Sequence, residues 1–203
     1  MRMIYHHQQA YPESISEQET IVSDILAGSV PNTLILTEHP PIYTLGTSAQ
    51  ESDVLMRKIN GESIAVYHTG RGGEVTYHGP GQLICYALIN IQREKDLHLH
   101  VQRLESLIIQ TLQDFDIEGI RDARGIGVWV NGLKIAAVGV RCRKWVTFHG
   151  VSLNISPNLK HFSGIVPCGM RDAPVTSMHQ LGVNATRQEV EKRIMYHANT
   201  IFK

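Results

Sequence analysis

The sequence predicts a mixed α/β (α+β) fold in a single domain, residues 1–203, with antiparallel hairpins and about three main helices. Three observations carry this reading. Short apolar runs recur between turn residues, as strands do. Asn131-Gly132 lies between two apolar runs, the strongest short hairpin signal. Apolar residues elsewhere repeat at helical spacing, and two such stretches open with capping boxes.

Taken in order, Ser16 with Glu19 reads as a capping box. It opens a helix with Ile21, Val22, Ile25 and Leu26 on one face, stopped near Gly28. Thr33 to Thr37 reads as a strand, and so does Ile42 to Leu45 after Pro40-Pro41. Gln82 to Ile91 is nearly all apolar, the pattern of a buried strand. Leu97, Val101, Leu104, Ile108, Leu112 and Phe115 mark a second helix. Val128 to Val130 and Leu133 to Val140 form the hairpin arms, and Val146 to Ile155 another strand. Thr186 and Glu189 cap a last helix through Val190, Ile194 and Ile201.

With 42% hydrophobic residues in 203, the chain can bury one sizeable core. Lys+Arg and Asp+Glu both number 19, so bulk charge gives no reason to expect nucleic acid as a partner. Locally the balance differs: Arg121 to Lys144 holds six basic residues and one acid, either a docking patch or a solvated face. Residues 1–11 are polar, with no apolar run behind a basic start, so no signal peptide is expected. No apolar stretch reaches spanning length, so no membrane contact is expected. Cys85, Cys142 and Cys168 form no CxxC pair, which points to a reducing, cytoplasmic setting.

A free thiol in that setting can have a task. Cys85 lies in an apolar strand and reads as an inert small hydrophobe. Cys142 stands between Arg141 and Arg143, although strand alternation sends thiol and guanidinium groups to opposite faces. Cys168, in Pro167-Cys168-Gly169, has the backbone room of a loop thiol and ranks first as nucleophile. Lys134 follows the hairpin turn. Alternation places it with Ala136, Val138 and Val140, either at a wet strand end or in a dry site. Residues 70–82 hold five glycines, a loop that lets backbone approach a ligand closely, with Arg71, Thr76, His78 and Gln82 grouped in it. It is neither a dinucleotide fingerprint nor a P-loop. Neither HExxH, a Cys/His cluster nor GxSxG occurs, so no metal and no hydrolase elbow are expected. Thr76-Tyr77-His78-Gly79 and Thr147-Phe148-His149-Gly150 share the pattern Thr-aromatic-His-Gly, as two strand ends facing one site would.

Five segments together resemble the octanoyltransferase family of lipoate biosynthesis. They are Glu38 to Gly46 (EHPPIYTLG), Arg71 to Gln82 (RGGEVTYHGPGQ), Gly132 to Gly139 (GLKIAAVG), Phe148 to Asn154 (FHGVSLN) and Pro167-Cys168-Gly169. The resemblance implies the biotin/lipoate protein ligase-like fold, a domain around a central mixed sheet. It implies that Cys168 carries an acyl thioester, while Lys134 favours its thiolate and serves as acid/base. It further implies an acyl pocket lined by Arg71, Gly72, Gly73, Glu74, Val75, Thr76, Tyr77 and His78, with Ala137, Val138, Gly139, Gly150, Val151 and Ser152. No cofactor is implied. The implied donor is octanoyl-acyl carrier protein. The implied acceptors are lipoyl domains of 2-oxoacid dehydrogenase complexes and the H protein of glycine cleavage. Two other readings stay open: an ATP-dependent lipoate or biotin ligase on the same fold, and a non-catalytic acyl-binding module.

Overall fold

The structure, a computed structural model, describes residues 1–166 and 174–203. Twelve strands and three long helices are described, in the order β1 (Arg2–Tyr5), α1 (Tyr11–Ala27), β2 (Thr33–Thr37), β3 (Ile42–Leu45), β4 (Lys58–Ile59), β5 (Glu62–Ser63), β6 (Ala65–His68), β7 (Val75–His78), β8 (Gln82–Leu88), α2 (Leu97–Gln113), β9 (Ile120–Asp122), β10 (Gly125–Val130), β11 (Leu133–Arg143), β12 (Val146–Asn154) and α3 (Arg187–Ile201).

A seven-stranded sheet runs β1-β2-β8-β12-β11-β10-β9, antiparallel except for the β1–β2 pair. Its central strands are buried on both faces, and alternate residues serve two cores. Leu34, Leu36, Leu83, Cys85, Val151 and Leu153 face Leu104, Leu107 and Ile108 of α2 and Val190 and Ile194 of α3. Their neighbours Ile35, Ile84 and Tyr86 face Ile21, Val22 and Ile25 of α1. A smaller sheet, β6-β3-β7, encloses a third cluster around Tyr43, Leu45, Val75 and Tyr77.

The Asn-Gly hairpin forms as expected: Asn131 (φ 50°) and Gly132 (φ 79°) supply the two positive φ values its tight turn requires. Thr186 caps α3 through the amide of Glu189, whose carboxylate returns the bond. The first helix departs from expectation. It begins at Tyr11, so Ser16 and Glu19 lie inside it. Pro12, in the first turn, has its φ already set for a helix, and the buried Tyr11 ring anchors that turn against His39 and Tyr67. The helix stops at Gly28 in the left-handed conformation. Among the described residues no helix is long and apolar enough to cross a membrane.

Candidate active site

The glycine-rich loop leaves β6, crosses the end of β11 and returns as β7. Its anchor is Arg71, a buried cation. Arg71 Nη2 donates to the Thr44 carbonyl (2.6 Å) and to Thr44 Oγ1 (2.9 Å), Nε donates to the same hydroxyl (3.2 Å), and Nη1 reaches the Gly72 carbonyl (3.0 Å). The amide of Gly72 donates to the Val140 carbonyl at 2.8 Å, fastening the loop to the sheet edge. Gly46 permits the approach, because a Cβ there would lie 2.1 Å from the Gly73 carbonyl oxygen.

Below the loop the sheet offers a floor of small side chains. Ala137 pairs with Ser152 and Gly139 with Gly150; Ser152 and Gly150 pair in turn with Ile84 and Tyr86. A Cβ on Gly150 would meet the Cys85 carbonyl at 2.1 Å, and one on Gly139 would crowd the Arg71 stem. Loop and floor bound a cavity of about 510 Å³, within the usual range of small-molecule sites.

Lys134 enters this cavity through an irregularity. β10 and β11 pair Trp129 with Lys134, but Val128 with Ala136. One step on β10 spans two on β11, so Ile135 is the extra residue of a β-bulge. Trp129 and Val128 are strand neighbours that point to opposite faces, and so do their partners Lys134 and Ala136. Val128, Ile135 and Ala136 all lie in the core under α2. Lys134 turns to the face of Ala137 and Gly139, its Nζ 5.1 Å from the Trp129 ring centroid. The alternation that groups Lys134 with Ala136, Val138 and Val140 is thus broken at one residue. The backbone of Lys134 is bridged to the chain just past residue 173: its N–H donates to the Pro174 carbonyl (2.8 Å), and its carbonyl accepts from Thr176 N–H (2.9 Å).

Tyr86, His78 and His149 of the cavity wall belong to a polar, aromatic cluster, with His39 packed behind Tyr86 and His78. His39 donates through Nδ1 to the Gln9 carbonyl (2.7 Å), so its Nε2 accepts from the Tyr86 hydroxyl (2.6 Å). Burial, only partly opposed by that backbone bond, lowers the His39 pKa to about 4. Burial and then the nearby His39 lower His78 to about 3. Burial, followed by the Arg71 and Arg141 cations, lowers His149 to about 3. These imidazoles are neutral at physiological pH.

The cavity gathers Lys134 with Arg71, Gly72, Gly73, Glu74, Val75, Thr76, His78, Ala137, Val138, Gly139, Gly150, Val151 and Ser152. Tyr77 is the exception. Its ring fills the third core cluster, with its hydroxyl 2.8 Å from His161 Nδ1. Cys168 lies outside the described residues. Burial raises the Cys85 thiol to about 12 and raises Cys142 as well, so neither favours a thiolate. Both Thr-aromatic-His-Gly segments reach the cavity: Thr76, His78, His149 and Gly150 line it, while Phe148 packs under α1. Sequence reasoning did not single out Tyr11, Tyr86, Trp129 or Asn154, which also line it. Tyr11 carries no local signal, since it falls before the apparent helix start. Arg141 and Arg143 lie beyond the loop, Arg141 over the Phe148 ring at 4.9 Å and Arg143 with Nη2 3.0 Å from Ser23 Oγ on α1. Among the described residues no group of three His, Cys, Asp or Glu is placed to hold a metal ion.

The fold is that of the protein ligases that act with lipoate and biotin. A lipoate-protein ligase A bound with ATP superposes with a TM-score of 0.76 at 13% identity, over 98% of this chain and 84% of that one. The biotin protein ligase from Aquifex aeolicus in complex with biotin and ATP gives 0.59 at 13%, over 99% and 70%. In sequence, residues 10–199 match the family model described as "Lipoyl protein ligase A/B catalytic domain". The octanoyltransferase of Paramagnetospirillum magneticum is 44% identical over 191 residues, 91% of this chain and 88% of that relative. That of Parvibaculum lavamentivorans is 47% identical over 190 residues, 89% and 83%. The chain belongs to the octanoyltransferase family, the acyltransferase branch of this fold.

Proposed function

We propose that the chain transfers an octanoyl group from octanoyl-acyl carrier protein to a lysine of a lipoyl domain, through a thioester on Cys168, with Lys134 as acid/base. The acceptors on this reading are lipoyl domains of 2-oxoacid dehydrogenase complexes and the glycine cleavage H protein, and the compartment is the cytoplasm. The observation that carries the reading is the placement of Lys134. A bulge turns it off the core face and onto the small-residue floor of the cavity, and its backbone is bonded to the segment that follows Cys168.

The chemistry needs no input of free energy beyond the donor. The Cys168 thiolate attacks the donor thioester carbonyl, the carrier's sulfur leaves and takes a proton as a thiol, and the acyl group rests on Cys168. The acceptor amine then attacks that carbonyl and loses a proton, and the Cys168 sulfur departs as an amide forms. Lys134 as a cation favours the thiolate in the first half, and as a base it takes the amine's proton in the second. The apolar floor suits an alkyl chain.

Intact mass spectrometry after mixing with octanoyl-acyl carrier protein, followed by peptide mapping, tests this. One octanoyl group on Cys168, formed without ATP, is the expected result. Acylation mapped to Cys85 or Cys142 overturns the assignment. A strict requirement for ATP moves the chain to the ligase reading.

A further inference from the structure

We propose that Gln82 and Asn154 are positioning residues, which hold the backbone around Lys134 and fix His78 as a hydrogen-bond acceptor in the cavity. The inference rests on the reading of Lys134 as the acid/base. Gln82 is the first residue of β8 and Asn154 the last of β12, and the two are cross-strand partners. Both are buried polar side chains at positions where the neighbouring residues of both strands are core. Buried amides of this kind must be bonded, and here every bond has a forced direction.

The direction is set by a backbone carbonyl, which can only accept. Asn154 lies 2.9 Å from the Thr176 carbonyl, so its Nδ2 donates there and its Oδ1 turns to Gln82. Gln82 Nε2 donates to that Oδ1 at 2.8 Å, which leaves Gln82 Oε1 facing His78. Oε1 accepts, so His78 Nδ1, 2.7 Å away, carries the ring proton. His78 Nε2 is left with a lone pair, on a ring that lines the cavity. At the other end, Thr176 N–H donates to the Lys134 carbonyl, and Lys134 N–H to the Pro174 carbonyl. One directed chain of hydrogen bonds therefore joins His78 on β7 to Lys134 on β11, across β8 and β12. The Lys134 backbone is fastened to the 174–176 segment, and Asn154 fixes that segment to the sheet. Among the described residues, the titratable groups around the two amides include His78 on β7, with His39 packed on its ring, Glu38, whose carboxylate accepts from the Gly81 N–H beside Gln82, and, through Thr176, Lys134 on β11.

Asn154→Asp tests the chain. A carboxylate still accepts from Gln82 but opposes the Thr176 carbonyl with a second acceptor. A protonated carboxyl donates there again, and burial raises the pH at which this happens. The expected result at about pH 8.5 is a kcat about tenfold below wild type, with KM within about twofold, the scale of one lost buried hydrogen bond. Relative to wild type, kcat then recovers about fivefold toward pH 5.5, while Asn154→Ala shows a loss that pH does not change. A flat ratio for Asn154→Asp, or wild-type kcat in Asn154→Ala, overturns the inference. Gln82→Glu gives an independent arm should the first variant fail to fold. Its carboxylate demands a donor from Asn154, turns Nδ2 away from Thr176, and produces the same acid recovery; the absence of that recovery counts equally against the chain. Hydrogen exchange at the Thr176 amide, faster in Asn154→Asp at high pH only, reports the chain apart from catalysis. Full activity in Lys134→Ala sinks the acid/base reading, and with it the catalytic part of the inference.

Discussion

Thr44→Val removes a hydroxyl without changing the shape of a fully buried side chain. The Thr44 hydroxyl accepts from both Nε and Nη2 of Arg71, while the Thr44 carbonyl keeps its own bond. Hydrogen bonds to a charged partner are worth about 1.5–3 kcal/mol, and Arg71 is a buried cation. For a domain of this size each kcal/mol moves the melting midpoint by about 2–4 °C. Thermal unfolding followed by circular dichroism should show Thr44→Val melting about 3–12 °C below wild type. Thr44→Ser, which keeps the oxygen, should stay close to wild type. The loop that Arg71 anchors covers the cavity, so KM for octanoyl-acyl carrier protein should rise in the valine variant only. If the valine and serine variants melt together, the contacts between Arg71 and the hydroxyl contribute nothing, and the loop is held by its backbone bonds alone.

Three further outcomes are expected. Lys134→Ala should lower octanoyl transfer about 10²-fold or more in steady-state assays, and Lys134→Arg should not restore it, because arginine stays protonated; near-wild-type turnover in either variant refutes the assignment. Burial holds His39 and His100 near 4 and His78 and His149 near 3, below the ordinary 6.5, so the unfolded chain takes up protons the native state refuses. Their contribution is complete above about pH 6.5 and declines toward pH 4. Urea unfolding should therefore give a stability at least about 2 kcal/mol lower at pH 5 than at pH 7.5, and an equal or higher value contradicts the sign. Charge reversal at the exposed Arg143 and Lys144 should reduce kcat/KM with an acidic carrier protein at low salt and flatten its salt dependence; no change in either quantity returns these residues to a solvated face.

Much of this was legible in the chain because local chemistry dictates it. Asn131-Gly132 can form a two-residue turn whatever surrounds it, and Thr186 with Glu189 closes a box using only its own helix. The nearly all-apolar run from Gln82 stated its burial directly. What remained hidden depends on partners distant in sequence. Tyr11 starts a helix because His39 and Tyr67 receive its ring, and nothing within several residues announces that. β1 is four residues long and gains its place by pairing with β2. In the site, the glycine loop with Arg71 and His78 was visible as composition, whereas Tyr77 looked like its neighbours and alternates away from them into a separate core. Lys134 was found for its residue type and mis-assigned in orientation. Period-two counting holds only while both strands advance together, and at Ile135 they do not.

That single extra residue acts as a phase shift in the strand. Upstream and downstream of Ile135, the same count of residues points to opposite faces. Deleting Ile135 would leave Lys134 and Ala136 as plain strand neighbours on the faces they already hold, whereas pairing Ile135 in plain alternation would put Lys134 on the face of Ala136 and aim its ammonium at the apolar core beneath α2. The same logic constrains descent. β11 can lose the bulge and its extra residue together and keep the charge where it is, but it cannot straighten the bulge while keeping that residue without reversing which side of the sheet holds the charge. Residue count and bulge are fixed there as a pair.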